Sequence, residues 1–600
     1  MNMNILSKYI NVRPALRQLL APSWGKMPVG QKGVLSLFLG GSFFLTSCSD
    51  YLEILPLNEV VLENYWTKKE DVTSVLNGCY EALAAEGCIE RIGIWGELRS
   101  DNLVQGNNFD NKQEYIEILK ENLLPSNNLT KWEDLYKTIN RCNTVLKYAE
   151  GVQKFDPNYT EAQMLANKAE ATFIRDLCYF YLIRTFRDVP MQFEPSIDET
   201  GFDERGTYAI PATPMNEALK FLSEDLESVK DNAVLRYVDD SKMNNSETAS
   251  RAYENCAKVT RIAIYTLLAD IYLWRGEYDK AISCCDYVIN FKKNQYKEKI
   301  AGAGQLNDMF VFNGIPMIRE SLMNTKTCGN AYTEIFGTGF SFESIFELGY
   351  QKGSASTENK YTSNAYLNNN GRMGRYAAPE DYIQNVTSGT NPYFAKNDCR
   401  VYENISEDGG RFFIMKYGCS GVSLENDNVT DMKSLRLSPS IRSRNNSNWI
   451  FYRLSDVMLI KAEACIMKDN ADFQTAFSLI NAVNKRARNY AESVKSDSLN
   501  FATYSSNREE MEKLLFSERK REFMFEGKRW FDLVRKSLRD NNTHYLANEA
   551  TQKQKENAVA IKIQFADINA IFWPYNRDEL KRNNQLRQNS AYSDTEDFKK

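Results

Sequence analysis

Residues 259–289 read VTRIAIYTLLADIYLWRGEYDKAISCCDYVI. Ala269, Tyr272, Gly276, Tyr278, Ala281 and Cys285 fall at the spacing of two helices folded back on each other. Ala269 and Ala281 are small enough for the two backbones to approach closely, and Gly276 supplies the turn between them.

The stretch Gly276-Glu277-Tyr278-Asp279-Lys280-Ala281 resembles the turn and second helix of a tetratricopeptide repeat. A weaker echo joins 132–148 with 169–186. The expected fold is therefore mainly α, a tetratricopeptide-like helical-repeat scaffold.

Working outward, the same period recurs. Residues 69–83 carry Val72, Val75, Leu76, Cys79, Tyr80 and Leu83 on one stripe. Helices are also expected at 128–148, 162–186 and 214–229, with Arg187-Asp188-Val189-Pro190 stopping the second of these. After about residue 290 the period fades. The stretch to 448 is rich in Asn, Gly, Ser and Tyr, and reads as a loop-rich insert with short strands at 344–348 and 411–417. Helices return at 449–467, 473–488 and 512–535. On the last, Glu518–Arg521, Glu526–Arg529 and Asp532–Arg535 stand three apart and are expected to pair as an exposed structural ion network, a catalytic cluster being the alternative reading.

Composition narrows the chemistry. The net charge of −5 carries no electrostatic footprint for nucleic acid. One histidine, His544, in 600 residues argues against a zinc site and against histidine-based nucleophile systems. Carboxylate chemistry is the remaining common hydrolytic option. The twelve cysteines include no CxxC pair and read mostly as buried thiols, although an oxidising compartment permits one or two disulfides. No metal or cofactor is expected; the Asn- and Asp-rich loops lack a calcium-ligand spacing.

The amino-terminal segment gives the expected compartment. Residues 33–45, GVLSLFLGGSFFL, form a short apolar run after Lys26 and Lys32, the pattern of an export signal. It is shorter than the roughly 20 residues that span a bilayer. It ends in Leu45-Thr46-Ser47-Cys48, which resembles a bacterial lipobox. Cys48 is then the lipidated first residue of the mature chain. Met27 would start a signal of more ordinary length.

With these pieces in order, the chain resembles the SusD/RagB family of outer-membrane nutrient-uptake lipoproteins. The resemblance rests on Glu97-Leu98-Arg99-Ser100-Asp101-Asn102, on Ala169-Glu170 with Phe173, Arg175 and Tyr179, and on Asp188-Val189-Pro190. It continues through Tyr452-Arg453-Leu454-Ser455-Asp456, Glu518-Arg519, Glu526-Gly527, Phe531-Asp532-Leu533, Trp573-Pro574 and Gln588-Asn589. Three departures stand out: Arg187 where the family usually has Gly, Asn576 where Pro is common, and Ser590-Ala591 where Pro-Gly is usual. The implied organisation is a signal over 1–47, an amino-terminal helical region over 48–235, and a carboxy-terminal region over 236–600 that contains the 290–448 insert.

The resemblance implies a binding protein without catalytic residues. It implies a glycan or oligosaccharide ligand, a lipid anchor in the outer membrane facing the exterior, and a TonB-dependent transporter as partner. Aromatic faces would stack on sugar rings while Asn, Asp and Arg hydrogen-bond the hydroxyls. The candidate ligand contacts are Trp95, Arg99, Asp101, Phe340, Tyr361, Tyr366 and Tyr376. Alternative readings are a carboxylate-dependent glycoside hydrolase, a peptide-binding member of the same family, and a protein-interaction scaffold.

Overall fold

A computed structural model describes residues 65–593, apart from 107–111, 197–209, 241–249, 304–308, 321–328, 351–357, 368–372, 387, 396, 409, 425–436 and 489–498. The first helices are α1 (Lys69–Leu83), α2 (Glu86–Glu97), α3 (Glu133–Val152) and α4 (Glu161–Phe186). They are followed by α5 (Met215–Val229), α6 (Arg261–Trp274) and α7 (Tyr278–Ala303). Neighbours in the chain pack in pairs, α3 on α4 and α6 on α7, with α1 against α3 and α5 against α4. This is the repeat-like helical scaffold that the hairpin sequence predicts.

Local chemistry explains the boundaries. Thr160 starts α4 with a capping box: its hydroxyl accepts from the Gln163 N–H, and the Gln163 side chain accepts from the Thr160 N–H. From Ala169 to Phe186 nearly every residue of α4 is buried, so the helix runs through the centre of the core. Gly276 closes α6 in a left-handed conformation, φ +72°, while the Glu277 N–H reaches back to the Tyr272 carbonyl at 2.9 Å. Helix α7 runs on to Ala303, past residue 290, where periodicity in the sequence fades.

The carboxy-terminal half adds α8 (Leu454–Met467), α9 (Phe473–Ala487), α10 (Arg508–Glu522), α11 (Arg529–Asp540), α12 (Ala558–Phe565) and α13 (Arg577–Arg582). Two expectations change here. The predicted helix over 449–467 begins as a strand, Trp449–Arg453, which pairs antiparallel with Ser344–Leu348. Its aromatic and β-branched run buries both faces of that ribbon, which favours strand over helix. The ribbon also ties the interior of the loop-rich insert to the segment that follows its carboxy-terminal end.

The predicted single helix over 512–535 is two helices, α10 and α11. Phe525 (φ +67°) and Gly527 (φ +70°) turn the chain between them. Glu518–Arg521 and Asp532–Arg535 pair at 2.7 and 3.0 Å, each within one helix. Glu526 and Arg529 straddle the break and take other partners: Glu526 meets Arg453 and Lys416, and Arg529 meets Asp101 and Glu549. The network is buried rather than exposed, because α10 and α11 carry it inward.

Short strands expected in the insert are present at Ser344–Leu348 and Arg411–Ile414. Cys79, Cys88, Cys142, Cys178, Cys284, Cys285 and Cys465 are buried free thiols. Among the described residues no helix is long and apolar enough to cross a membrane.

Candidate functional site

Six of the seven expected ligand contacts are interior, and their partners explain why. Trp95 is fully buried on α2. Its indole N–H donates to the Leu129 carbonyl at 2.9 Å, and its ring meets Phe186 edge to face at 5.2 Å. Arg99 lies over the Trp530 ring, pairs with Glu121 at 2.8 Å, and donates to the carbonyls of Ala570 and Ile571. Asp101 pairs with Lys520 at 2.6 Å and with Arg529 at 2.9 Å. Burial pushes its carboxyl up, but those two cations win and hold it well below the usual carboxylate range.

The three tyrosines are also core. Tyr361 packs against Gly93, so closely that a Cβ there would sit 2.3 Å from its ring. The Tyr366 hydroxyl donates to the Phe525 carbonyl at 3.0 Å. Tyr376 is buried on a two-residue strand that pairs with Val104–Gln105. These residues fasten the 95–105 turn to the insert and to the carboxy-terminal half, so they present no face to a ligand. Phe340 alone keeps partial exposure. The expected lipid site Cys48 and the signal before it lie outside the described residues.

The sequence reading missed a cleft of about 310 Å³. Its floor is Trp132, Tyr136 and Ile139 on the first turns of α3, with Pro190 and Leu586. Tyr136 is held by its hydroxyl, which donates to the Pro190 carbonyl at 2.7 Å. Trp132 is wedged by Phe186 and Tyr575, at ring distances of 5.2 and 5.4 Å. The rim is polar: Gln192, Glu579 and Arg582, with Lys137 and Asn140 from α3. Burial raises the Glu579 carboxyl above its ordinary value, with Arg582 and Trp132 working against it.

Asn576 brings the carboxy-terminal rim into place. It caps α13 by accepting from the Asp578 N–H, and its amide donates to the Asn127 carbonyl and the Thr130 hydroxyl. Proline at this position has no side-chain amide to do either. Tyr136, Asn140 and Asn143, on one face of a helix otherwise striped by Leu135, Ile139 and Cys142, were the available signal for this cleft.

An aromatic floor with a few polar groups at the edge suits a ligand with apolar faces and many hydroxyls. Among the described residues no group of His, Cys, Asp and Glu is placed to hold a metal ion.

Comparison with known proteins agrees with this architecture. Residues 320–592 match the SusD family, and residues 50–235 match the family described as starch-binding associating with outer membrane. The chain is 22% identical to SusD-like protein P38 of Formosa agariphila, over 91% of this chain and 96% of that one. It is 25% identical to SusD-like protein P2 of the same organism, over 82% and 88%. Among solved structures, a SusD superfamily protein from Bacteroides thetaiotaomicron superimposes with a TM-score of 0.58 at 19% identity, over 88% of this chain and 99% of that one. A laminarin-binding SusD-like protein superimposes with a TM-score of 0.57 at 18% identity, over 88% and 100%. The chain belongs to the SusD/RagB family, whose members are binding proteins associated with the outer membrane.

Proposed function

We propose that this protein is a lipid-anchored glycan-capture protein of the outer cell surface, which delivers oligosaccharides to a TonB-dependent transporter. The observation that carries the ligand class is the cleft over Trp132 and Tyr136, with Gln192, Glu579 and Arg582 at its rim. The rings offer apolar faces to a sugar, and the rim offers donors and an acceptor for its hydroxyls. The laminarin bound by a structural neighbour belongs to the same ligand class. The lipid on Cys48 keeps the protein beside its transporter and raises the local concentration of ligand there.

The direct test is calorimetry of the chain from residue 49 onward against a panel of glycans, laminarin included. At least one glycan is expected to bind. Exchanging the rim residues Gln192 and Arg582 together for Ala should weaken that affinity at least tenfold at an unchanged melting temperature. Absence of binding across the panel, or affinity indifferent to both exchanges, rejects the cleft as the glycan site. For the anchor, Cys48→Ala should abolish palmitate labelling and release the protein from the membrane fraction. Continued labelling removes Cys48 as the lipid site. Co-purification with an outer-membrane barrel checks the partner.

A further inference from the structure

Past Pro190 the chain forms one wall of the cleft without a strand to pair with. The ribbon that Val189–Pro190 makes with Ala212–Thr213 ends there, and the backbone groups of the next residues need other partners. Side chains of α3 supply them. The Tyr136 hydroxyl donates to the Pro190 carbonyl at 2.7 Å, and the Asn143 amide donates to the Gln192 carbonyl at 2.9 Å. Lys147 pairs with the Glu194 carboxylate at 2.6 Å. The Asn140 side chain takes both backbone groups of Ser196, accepting from its N–H at 2.7 Å and donating to its carbonyl at 3.4 Å. Pro190, Gln192, Glu194 and Ser196 are every second residue of the wall, and Tyr136, Asn140, Asn143 and Lys147 share one face of α3. That helix face takes the place of a neighbouring strand.

At Gln192 the hold is reinforced from α4. The Tyr179 hydroxyl accepts from the Gln192 N–H at 2.8 Å and donates to the Gln192 carbonyl at 2.7 Å. Arg175, one turn earlier on α4, donates to the Asn143 side-chain oxygen at 3.3 Å, which fixes the orientation of the amide that reaches Gln192. Tyr179 is fully buried behind the wall and lines no part of the cleft, whereas Gln192 does line it. The Gln192 side-chain nitrogen is spent inside the wall, on the Ser196 hydroxyl and the Glu194 carbonyl. Its side-chain oxygen is the group left to accept from a ligand.

We propose that Tyr179 is a positioning residue for ligand binding in the cleft: its hydroxyl fixes the Gln192 backbone and, through it, the acceptor that reads one sugar hydroxyl. The inference rests on the cleft being the glycan site. It adds that a hydroxyl no ligand touches sets part of the affinity, and it gives the Arg175 and Tyr179 pair of the sequence a task in the site.

A double-mutant cycle tests this, on the chain from residue 49 onward, by calorimetry with laminarin and maltoheptaose as separate probes. Gln192→Ala removes the acceptor and should weaken binding roughly three- to tenfold, the range of one hydrogen bond. Tyr179→Phe keeps the ring, deletes the hydroxyl and should weaken binding by a similar factor. The double variant should bind no more weakly than Gln192→Ala alone, because Tyr179 acts through that side chain. Tyr332→Phe deletes an equally buried hydroxyl, bonded to the Met415 and Cys419 carbonyls, and should leave affinity unchanged. Amide hydrogen exchange gives a second reading that needs no glycan: the Gln192 N–H should be protected in the unaltered chain and lose protection in Tyr179→Phe. Fast exchange at Gln192 in the unaltered chain overturns the proposal even if Tyr179→Phe fails to fold. Single losses that add in the double variant, or an equal loss in Tyr332→Phe, also overturn it. Full affinity in Tyr179→Phe rejects this inference alone, whereas absence of binding in the unaltered chain rejects the glycan reading of the cleft and the inference with it.

Discussion

Gly96 and Gly527 meet backbone to backbone: a Cβ on Gly96 would lie 1.8 Å from the Gly527 carbonyl oxygen. This contact lets α2 seat against the turn between α10 and α11, and a carbonyl cannot rotate away as a side chain can. Gly96→Ala is therefore expected to destabilise at the upper end of overpacking effects, about 3 kcal/mol. Gly151 near the end of α3 has nothing within 4 Å of the same added carbon. Gly151→Ala should stabilise slightly, by about 0.5 kcal/mol, through the lower helix cost of Ala. Urea unfolding of both variants checks the pair of signs; an unchanged midpoint for Gly96→Ala would show that the contact relaxes.

Trp95 and Tyr366 separate a core role from a ligand role. Both are fully buried and hydrogen-bonded to backbone carbonyls. Trp95→Ala should cost about 3–5 kcal/mol, and Tyr366→Ala should be comparably destabilising. Thermal unfolding reads this directly. A melting temperature that stays put while glycan affinity falls would return Trp95 to the ligand site.

Much of the architecture was legible because helices announce themselves locally. The 69–83 stripe and the 259–289 hairpin carry their own period, caps and turn, so no distant residue is needed to read them. The misread elements are those decided at long range. Trp449–Arg453 becomes a strand only because Ser344–Leu348, about a hundred residues earlier, pairs with it. The 512–535 helix breaks because the chain must bring Gly527 onto Gly96 and Arg529 onto Asp101. The site was least legible for the same reason. Conspicuous aromatics in the insert proved to be packing: Tyr361 lies on α2, foreshadowed only by the small residue Gly93, and Tyr366 reaches the Phe525 carbonyl. The cleft joins α3 to Arg582, over 400 residues away; the Tyr136, Asn140 and Asn143 face marks the α3 side, but nothing local in either segment names the other.

The buried ion network gives the fold an acid-labile limb. Burial alone would raise the carboxyls of Glu518 and Asp532, but Arg400 and Arg521, and Arg519 and Arg535, reverse this and hold both down to about 2. A carboxyl depressed in the fold contributes stability above its ordinary pKa, 4.5 or 3.8 here, and loses it as pH falls toward the folded value. Each is worth on the order of 2–3 kcal/mol at neutral pH. Glu97 and Glu347, pushed up to about 7 by burial, act in the opposite sense between 4.5 and 7 and add no slope below that. Urea midpoints should therefore drop steeply from pH 4 to pH 2.5. The drop should be shallower in Glu518→Gln, which is already destabilised at pH 7; equal slopes would exclude Glu518 as a source.

Arg187 ends α4 at a position where the family resemblance leads to glycine, and its backbone shows why: φ is +72° and ψ −75°, a region that penalises any side chain. Such strain costs on the order of 1–3 kcal/mol. The side chain offsets part of it by pairing with Asp188 at 2.9 Å and donating to Asn569. The Arg187 side chain is 43% exposed, so the ion pair contributes only a fraction of a kcal/mol. Arg187→Gly should thus stabilise the protein by about 1 kcal/mol, and Arg187→Ala, which keeps the strain and loses the pair, should destabilise it by a similar amount. Opposite shifts in the urea midpoint are the expected result. If both variants lose stability alike, the Asp188 and Asn569 contacts outweigh the backbone term, and the arginine is the better residue at this turn.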